Sequence, residues 1–117
     1  GHTQQLTEDH SFTWRKFKRG EITEREYRNH PKRSVLCEVI GGGHAKISPY
    51  IASFPYKKGD RFMLCSDGIT DGLWEKHIHS GLDKNRDSTS AAANALIARA
   101  TDNDGSDDTT LIVIDIH

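Results

Sequence analysis

Cysteine is scarce in this chain: Cys37 and Cys65 are the only two among 117 residues, and no Cys-x-x-Cys spacing occurs. That excludes a disulfide framework. Both lie in apolar stretches, which reads as reduced core thiols in a cytoplasmic protein. Long hydrophobic runs are missing as well. The longest strictly aliphatic one is Leu111–Ile114, so no membrane span is expected. Net charge is only −1, which leaves no global field to favour nucleic acid or an anionic membrane. Of seven histidines only His77 and His79 are close, and their two-residue step sends them to different helix faces, as surface residues rather than zinc ligands. No Gly-x-Ser-x-Gly, P-loop or His-Glu-x-x-His pattern is found, so nucleophile-elbow hydrolases, NTPases and zincins drop out.

What is present is modest in size and polar. The hydrophobic share is 34% and the mean hydropathy −0.70. At this length the chain is one domain at most, lean for a self-sufficient core and suited to a piece of a larger fold. A small, polar, complete domain is the alternative. Charge is uneven along it. Residues 1–33 carry eight Lys/Arg against five acids, whereas residues 101–117 carry five Asp and no Lys or Arg. One end could meet a phosphorylated partner and the other a cation, with solvated faces as the plainer explanation.

Local patterns predict an α+β chain with mainly antiparallel strands. Ser11–Arg19 reads as a helix ending at Gly20, and Thr23-x-x-Glu26 has capping-box spacing for a short helix that must stop before Pro31. Together they predict a basic helical hairpin over residues 11–30. Ser34–Ile40 is apolar and β-rich until Gly41-Gly42-Gly43 breaks it. Pro49–Tyr56 is strand-like, its prolines favouring an edge. Lys57–Asp60 reads as a turn and Arg61–Cys65 as a buried strand. A poorly capped helix is expected over Gly72–Leu82, and a better one over Ser88–Ala100 with Ser88 or Thr89 as cap. A polar loop over Thr101–Asp108 then leads to a second buried strand, Thr109–Ile116.

Two acidic turns adjoin the two most apolar strands. Asp67 follows one strand, and Asp107-Asp108 precedes the other. If these strands pair antiparallel, the end of one and the start of the other meet at one rim of the sheet. Carboxylates converging there repel unless protonated or bridged by a cation. Oxygen ligands with no histidine beside them favour Mg2+ or Mn2+ over zinc. The competing explanation is capping and turn chemistry, where aspartate is common. Asp102-Asn103-Asp104-Gly105 resembles the opening of a calcium loop, but Asp107 and Val113 occupy its glycine and glutamate positions.

Several blocks, in order, resemble the bacterial type 2C (PP2C, PPM) metal-dependent Ser/Thr protein phosphatases. Leu6-Thr7-Glu8-Asp9-His10-Ser11 is similar to that family's LTxDHS segment. Gly20–Glu24 and His30–Leu36 resemble its GxIT…HPxRNVL run. Gly59–Asp71 is very similar to GDRLLLCSDGLTD, and Gly105–Val113 resembles GxDNxTxIV, with Asp108 where the family usually has Asn. Each motif is weak alone; their ordered series over nearly the whole chain is specific.

The resemblance implies the C-terminal portion of an α-β-β-α sandwich, over residues 1–117, with 11–30 as a mobile flap. It implies hydrolysis of phosphoserine and phosphothreonine in proteins, with two or more Mn2+ or Mg2+ ions in the complete domain and water attacking phosphorus directly. Asp67 and Asp107 match metal ligands. Asp71 matches a position tied in some members to a third, weaker metal, and Asp108 could add charge beside the centre. Arg15, Lys16 and Arg19 of the flap could touch the phosphoprotein substrate. The family's phosphate-binding Arg, metal-bridging Asp-Gly motif and proposed general-acid His belong to its N-terminal half and match nothing here. His10 and Arg33 match structural positions and do not replace them. The chain alone is therefore expected to be inactive, to bind metal weakly, and to self-associate through open sheet faces, with the missing half as its natural partner. A pseudophosphatase or regulatory module of the same fold is the second reading. A third is a small interaction domain whose acidic turns are only caps.

Overall fold

The computed structural model describes residues 2–117. It divides into two compact units, Gln4–Ser53, and Phe54–His117 with His2 and Thr3.

The first unit is built on two short helices. Helix α1, Phe12–Lys18, starts where the Ser11 hydroxyl accepts from Trp14 N at 3.2 Å. Helix α2, Glu24–Arg28, starts on the full reciprocal capping box of Thr23 and Glu26. Each cap satisfies backbone donors that a helix start leaves open. The Phe17 and Tyr27 rings stack at 5.3 Å and join the helices, so the expected hairpin is present. The strand expected over Ser34–Ile40 shrinks to a single bridge, Ser11 with Leu36, and Val35, Leu36 and Ile40 are exposed. Pro49–Tyr56 forms no strand either. A β-prone run becomes a strand only by pairing; two prolines here lack donors, and among the described residues no neighbour completes a ladder.

The second unit holds an antiparallel pair, β1 (Arg61–Cys65) and β2 (Leu111–Asp115), in the register Arg61↔Asp115 through Cys65↔Leu111. Three helices follow β1: α3 (Asp67–Gly72), α4 (Glu75–Lys84) and α5 (Thr89–Asn103). Ile69, Leu73, Ile78, Leu82, Leu96 and Ala100 form the core, and Met63, Leu111 and Val113 pack on it from one face of the sheet. Cross-strand partners Phe62↔Ile114 and Leu64↔Ile112 share the opposite face, where Leu64 and Ile112 are each 55% exposed. The strands are therefore buried on one face only, not on both. Cys37 and Cys65 are exposed, which corrects their reading as core thiols.

Helix boundaries differ from expectation around Gly72. That glycine ends α3 instead of opening a helix. A Cβ on it would stand 2.5 Å from the carbonyl oxygen of Ala100, so only glycine lets α3 lie this close to α5. Helix α5 starts on the Ser88 cap as expected but runs on to Asn103, whose side-chain amide donates to Gly72 O at 3.0 Å. His77 and His79 are half-buried rather than surface residues, and the Thr3 hydroxyl lies 2.7 Å from His79 Nδ1.

Arg61 ties the sheet to α4. Its side chain is 3% exposed, yet all five N–H donors are used. Nε and Nη2 donate to the two Asp115 carboxylate oxygens at 2.5 and 2.7 Å. Nη1 donates to Leu82 O and Asn85 O, and Nη2 also to Arg86 O. A buried cation is tolerated because every proton has an acceptor and one acceptor is charged.

Candidate metal centre

The antiparallel register puts the end of β1 and the start of β2 at the same end of the sheet, with Cys65 opposite Leu111. Beyond that last rung the two chains stay zipped. Ser66 N donates to Thr110 O at 2.9 Å, and Thr110 N donates to the Ser66 hydroxyl oxygen at 3.0 Å. Asp67 then opens α3 as its first residue, so it stands on a helix start and not in the turn expected from the sequence.

Gly68 brings the two acidic segments into contact. A Cβ there would lie 2.6 Å from the Asp108 carbonyl oxygen, 2.6 Å from Thr109 Oγ1 and 3.1 Å from Thr109 Cα. No side chain larger than hydrogen fits, and the backbone after Asp67 rests on the backbone after Asp107. Asp67, Asp107 and Asp108 are all exposed, and Asp71, one turn further along α3, is half-buried. One Asp107 oxygen, Oδ1, accepts from Asp108 N at 2.8 Å, which fixes the carboxylate against its own loop. Among the described residues no Lys or Arg pairs with Asp67, Asp107 or Asp108.

These donors fit a hard divalent cation in kind: exposed carboxylate oxygens, uncompensated by basic side chains, on two adjoining segments. They do not make a closed site. Among the described residues no group of three or more His, Cys, Asp or Glu side chains is placed to hold a metal ion. Further ligands would have to come from outside this chain.

The basic residues singled out on the flap belong to the first unit. Arg15 is exposed, Arg19 pairs with Glu21 at 2.7 Å, and Lys16 Nζ lies 4.9 Å from the centre of the Phe12 ring. Lys32 Nζ lies 5.3 Å from the same ring. Sequence reasoning passed over Ser66, Thr110 and the Arg61–Asp115 pair. The last carried a usable signal, since opposite charges at the outer ends of two strands expected to pair antiparallel fall on one rung.

No family model matches the chain. Solved phosphatases do. The Ser-Thr phosphatase MsPP of Mycobacterium smegmatis, in complex with cacodylate, superposes with a TM-score of 0.83 at 36% identity, over 99% of this chain and 49% of that one. A catalytic domain of the phosphatase PstP holding two manganese ions gives 0.76 at 25% identity, over 100% and 47%. The chain belongs to the type 2C (PPM) family of Ser/Thr phosphatases and matches the C-terminal part of their domain. Its α+β architecture is that of this family. Among curated proteins it is 31% identical over 113 residues to the serine/threonine phosphatase stp of Listeria welshimeri, covering 96% of this chain and 44% of that protein. The chain thus spans less than half the length of such relatives.

Proposed function

We propose that this chain supplies Asp67 and Asp107 as ligands of a dinuclear Mn2+ or Mg2+ centre in a protein phosphatase acting on phosphoserine and phosphothreonine. The observation that carries the reading is the contact at Gly68, which sets the segment bearing Asp67 directly on the segment bearing Asp107 and Asp108. The two manganese ions in PstP support the choice of metal. When bound, such ions lower the pKa of a water and neutralise charge on the phosphoryl oxygens.

The chain's own part is to hold negative charge in place. Asp67 and Asp107 attract the cations, and the hydrogen bond from Asp108 N leaves one Asp107 oxygen for a metal. Asp108 brings a further carboxylate where relatives of this type usually carry an amide, and Asp71 stands near enough in sequence to serve a weaker ion. Arg15, Lys16 and Arg19 offer positive charge to an anionic phosphoprotein. Exposed thiols at Cys37 and Cys65, neither in a disulfide, suit a reducing cytoplasm. No helix is long and apolar enough to cross a membrane.

The test is a phosphatase domain that joins this chain to the remaining part of the fold. Mn2+-dependent release of phosphate from a phosphothreonine peptide is expected, with Asp67→Asn or Asp107→Asn lowering kcat by at least ~100-fold. Undiminished turnover in either variant would remove the assignment. The 117-residue chain alone is expected to release none.

A further inference from the structure

We infer that Ser66 is a positioning residue for the metal centre, its hydroxyl clamping the loop that carries Asp107 and Asp108 against the helix that starts at Asp67. The inference rests on the metal reading above and adds a residue to it.

Ser66 is the N-cap of α3, and a serine there normally accepts from a backbone N–H in its own helix. Ser11, Thr23 and Ser88 do this at the starts of α1, α2 and α5. Ser66 makes no such bond. Its hydroxyl faces across the sheet end instead. The oxygen accepts from Thr110 N at 3.0 Å, and its proton is offered to Asp108 O at 3.3 Å, with Thr110 O further off at 3.5 Å. Of the two carbonyls, that of Asp108 is the nearer and Thr110 O also accepts from Ser66 N. The hydroxyl thus grips the acidic loop on both sides of Thr109, the residue whose side chain meets Gly68.

The physical consequence is selective. The strand ladder ends at Cys65↔Leu111, and Ser66 N to Thr110 O adds one further backbone bond. The further bonds that cross to the acidic loop come from the Ser66 side chain, whereas those from Asp108 N and the Thr109 hydroxyl to Asp107 stay within the loop. Without it the sheet keeps its ladder and Gly68 its close approach, but the hydrogen bonds that hold Thr110 N and the Asp108 carbonyl to the start of α3 are lost, and the loop bearing Asp107 is held less firmly. Groups that orient metal ligands in this way commonly change metal affinity when removed, without touching the ion.

The experiment titrates Mn2+ into the isotope-labelled phosphatase domain that joins this chain to the remaining part of the fold, and follows paramagnetic broadening of this chain's backbone amides. In the unchanged chain the amides of Asp67–Thr70 and of Asp107–Thr109 are expected to broaden together, at one Mn2+ concentration. Ser66→Ala should raise the apparent Kd by roughly 10-fold or more and separate the two groups, whereas Ser66→Thr, which keeps the hydroxyl, restores both. Thermal unfolding of each variant separates this from simple destabilisation. If Ser66→Ala does not fold, Ser66→Cys, with similar shape and weaker hydrogen bonding, is read in the same way. A Ser66→Ala variant with unchanged Kd, or a Ser66→Thr variant that fails to recover, overturns the inference and leaves the metal reading standing. No broadening of either segment in the unchanged chain overturns both.

Discussion

Two carboxylates in this chain have their ionisation set by partners that the fold itself supplies. The Arg61 guanidinium, hydrogen-bonded to Asp115, holds that carboxyl below its ordinary value of 3.8, and the backbone N–H of Thr23 holds Glu26 below 4.5. A carboxyl whose folded value is lowered binds fewer protons folded than unfolded over that window. The stability it contributes is complete above the ordinary value and is lost as pH falls through the lowered folded value. The melting temperature is therefore expected to be flat in this respect above about pH 5 and to drop below about pH 4. Asp115→Asn should lower it at neutral pH and flatten the acid limb, as differential scanning calorimetry between pH 2 and 7 would show. An unchanged acid limb would mean that other groups dominate acid unfolding.

The elements differ in how much of them sequence could reveal. Ser11 reads as part of the helix it caps, whereas the caps at Thr23 with Glu26 and at Ser88 were legible, because each acts within three residues of itself. So was the meeting of β1 with β2, since an apolar strand with acids after it and another with acids before it have one antiparallel solution. That pairing places the segments of Asp67 and Asp107 at one sheet end. What failed was anything decided by distant partners. Ser34–Ile40 and Pro49–Tyr56 have strand composition but no ladder, and Cys65, though it alternates onto the same face as Met63, is exposed at the last rung of the ladder. Gly72 resembles a helix opener until its approach to Ala100 is seen. Helix α5 is where packing matters most, as Leu96 is 1% exposed at the centre of the core. Leu96→Ala is expected to cost about 2–5 kcal/mol, measured by urea unfolding, because the cavity cannot collapse against three helices. A cost below about 1 kcal/mol would indicate a loosely packed unit.

Across the whole molecule, the sheet is apolar on both faces while α3 to α5 cover only one. Leu64, Ile112 and Ile114 remain in water on the other, at 55%, 55% and 42% exposure. Contiguous apolar surface of this kind drives association. The 117-residue chain is expected to self-associate at micromolar concentration in light scattering, and Leu64→Lys with Ile112→Lys to shift it towards monomer without lowering helix content. A monodisperse monomer before substitution would refute that. The Arg61–Asp115 pair has a wider reach than its own rung. It sits four rungs from Cys65↔Leu111, about 13 Å along the strands. Sliding β2 by one residue would set the guanidinium opposite an isoleucine and turn its apolar neighbours outward. The electrostatic latch at the far margin thus keeps the alignment by which two remote aspartates stay in step, and damage there would be felt as their misplacement, at a spot it never touches.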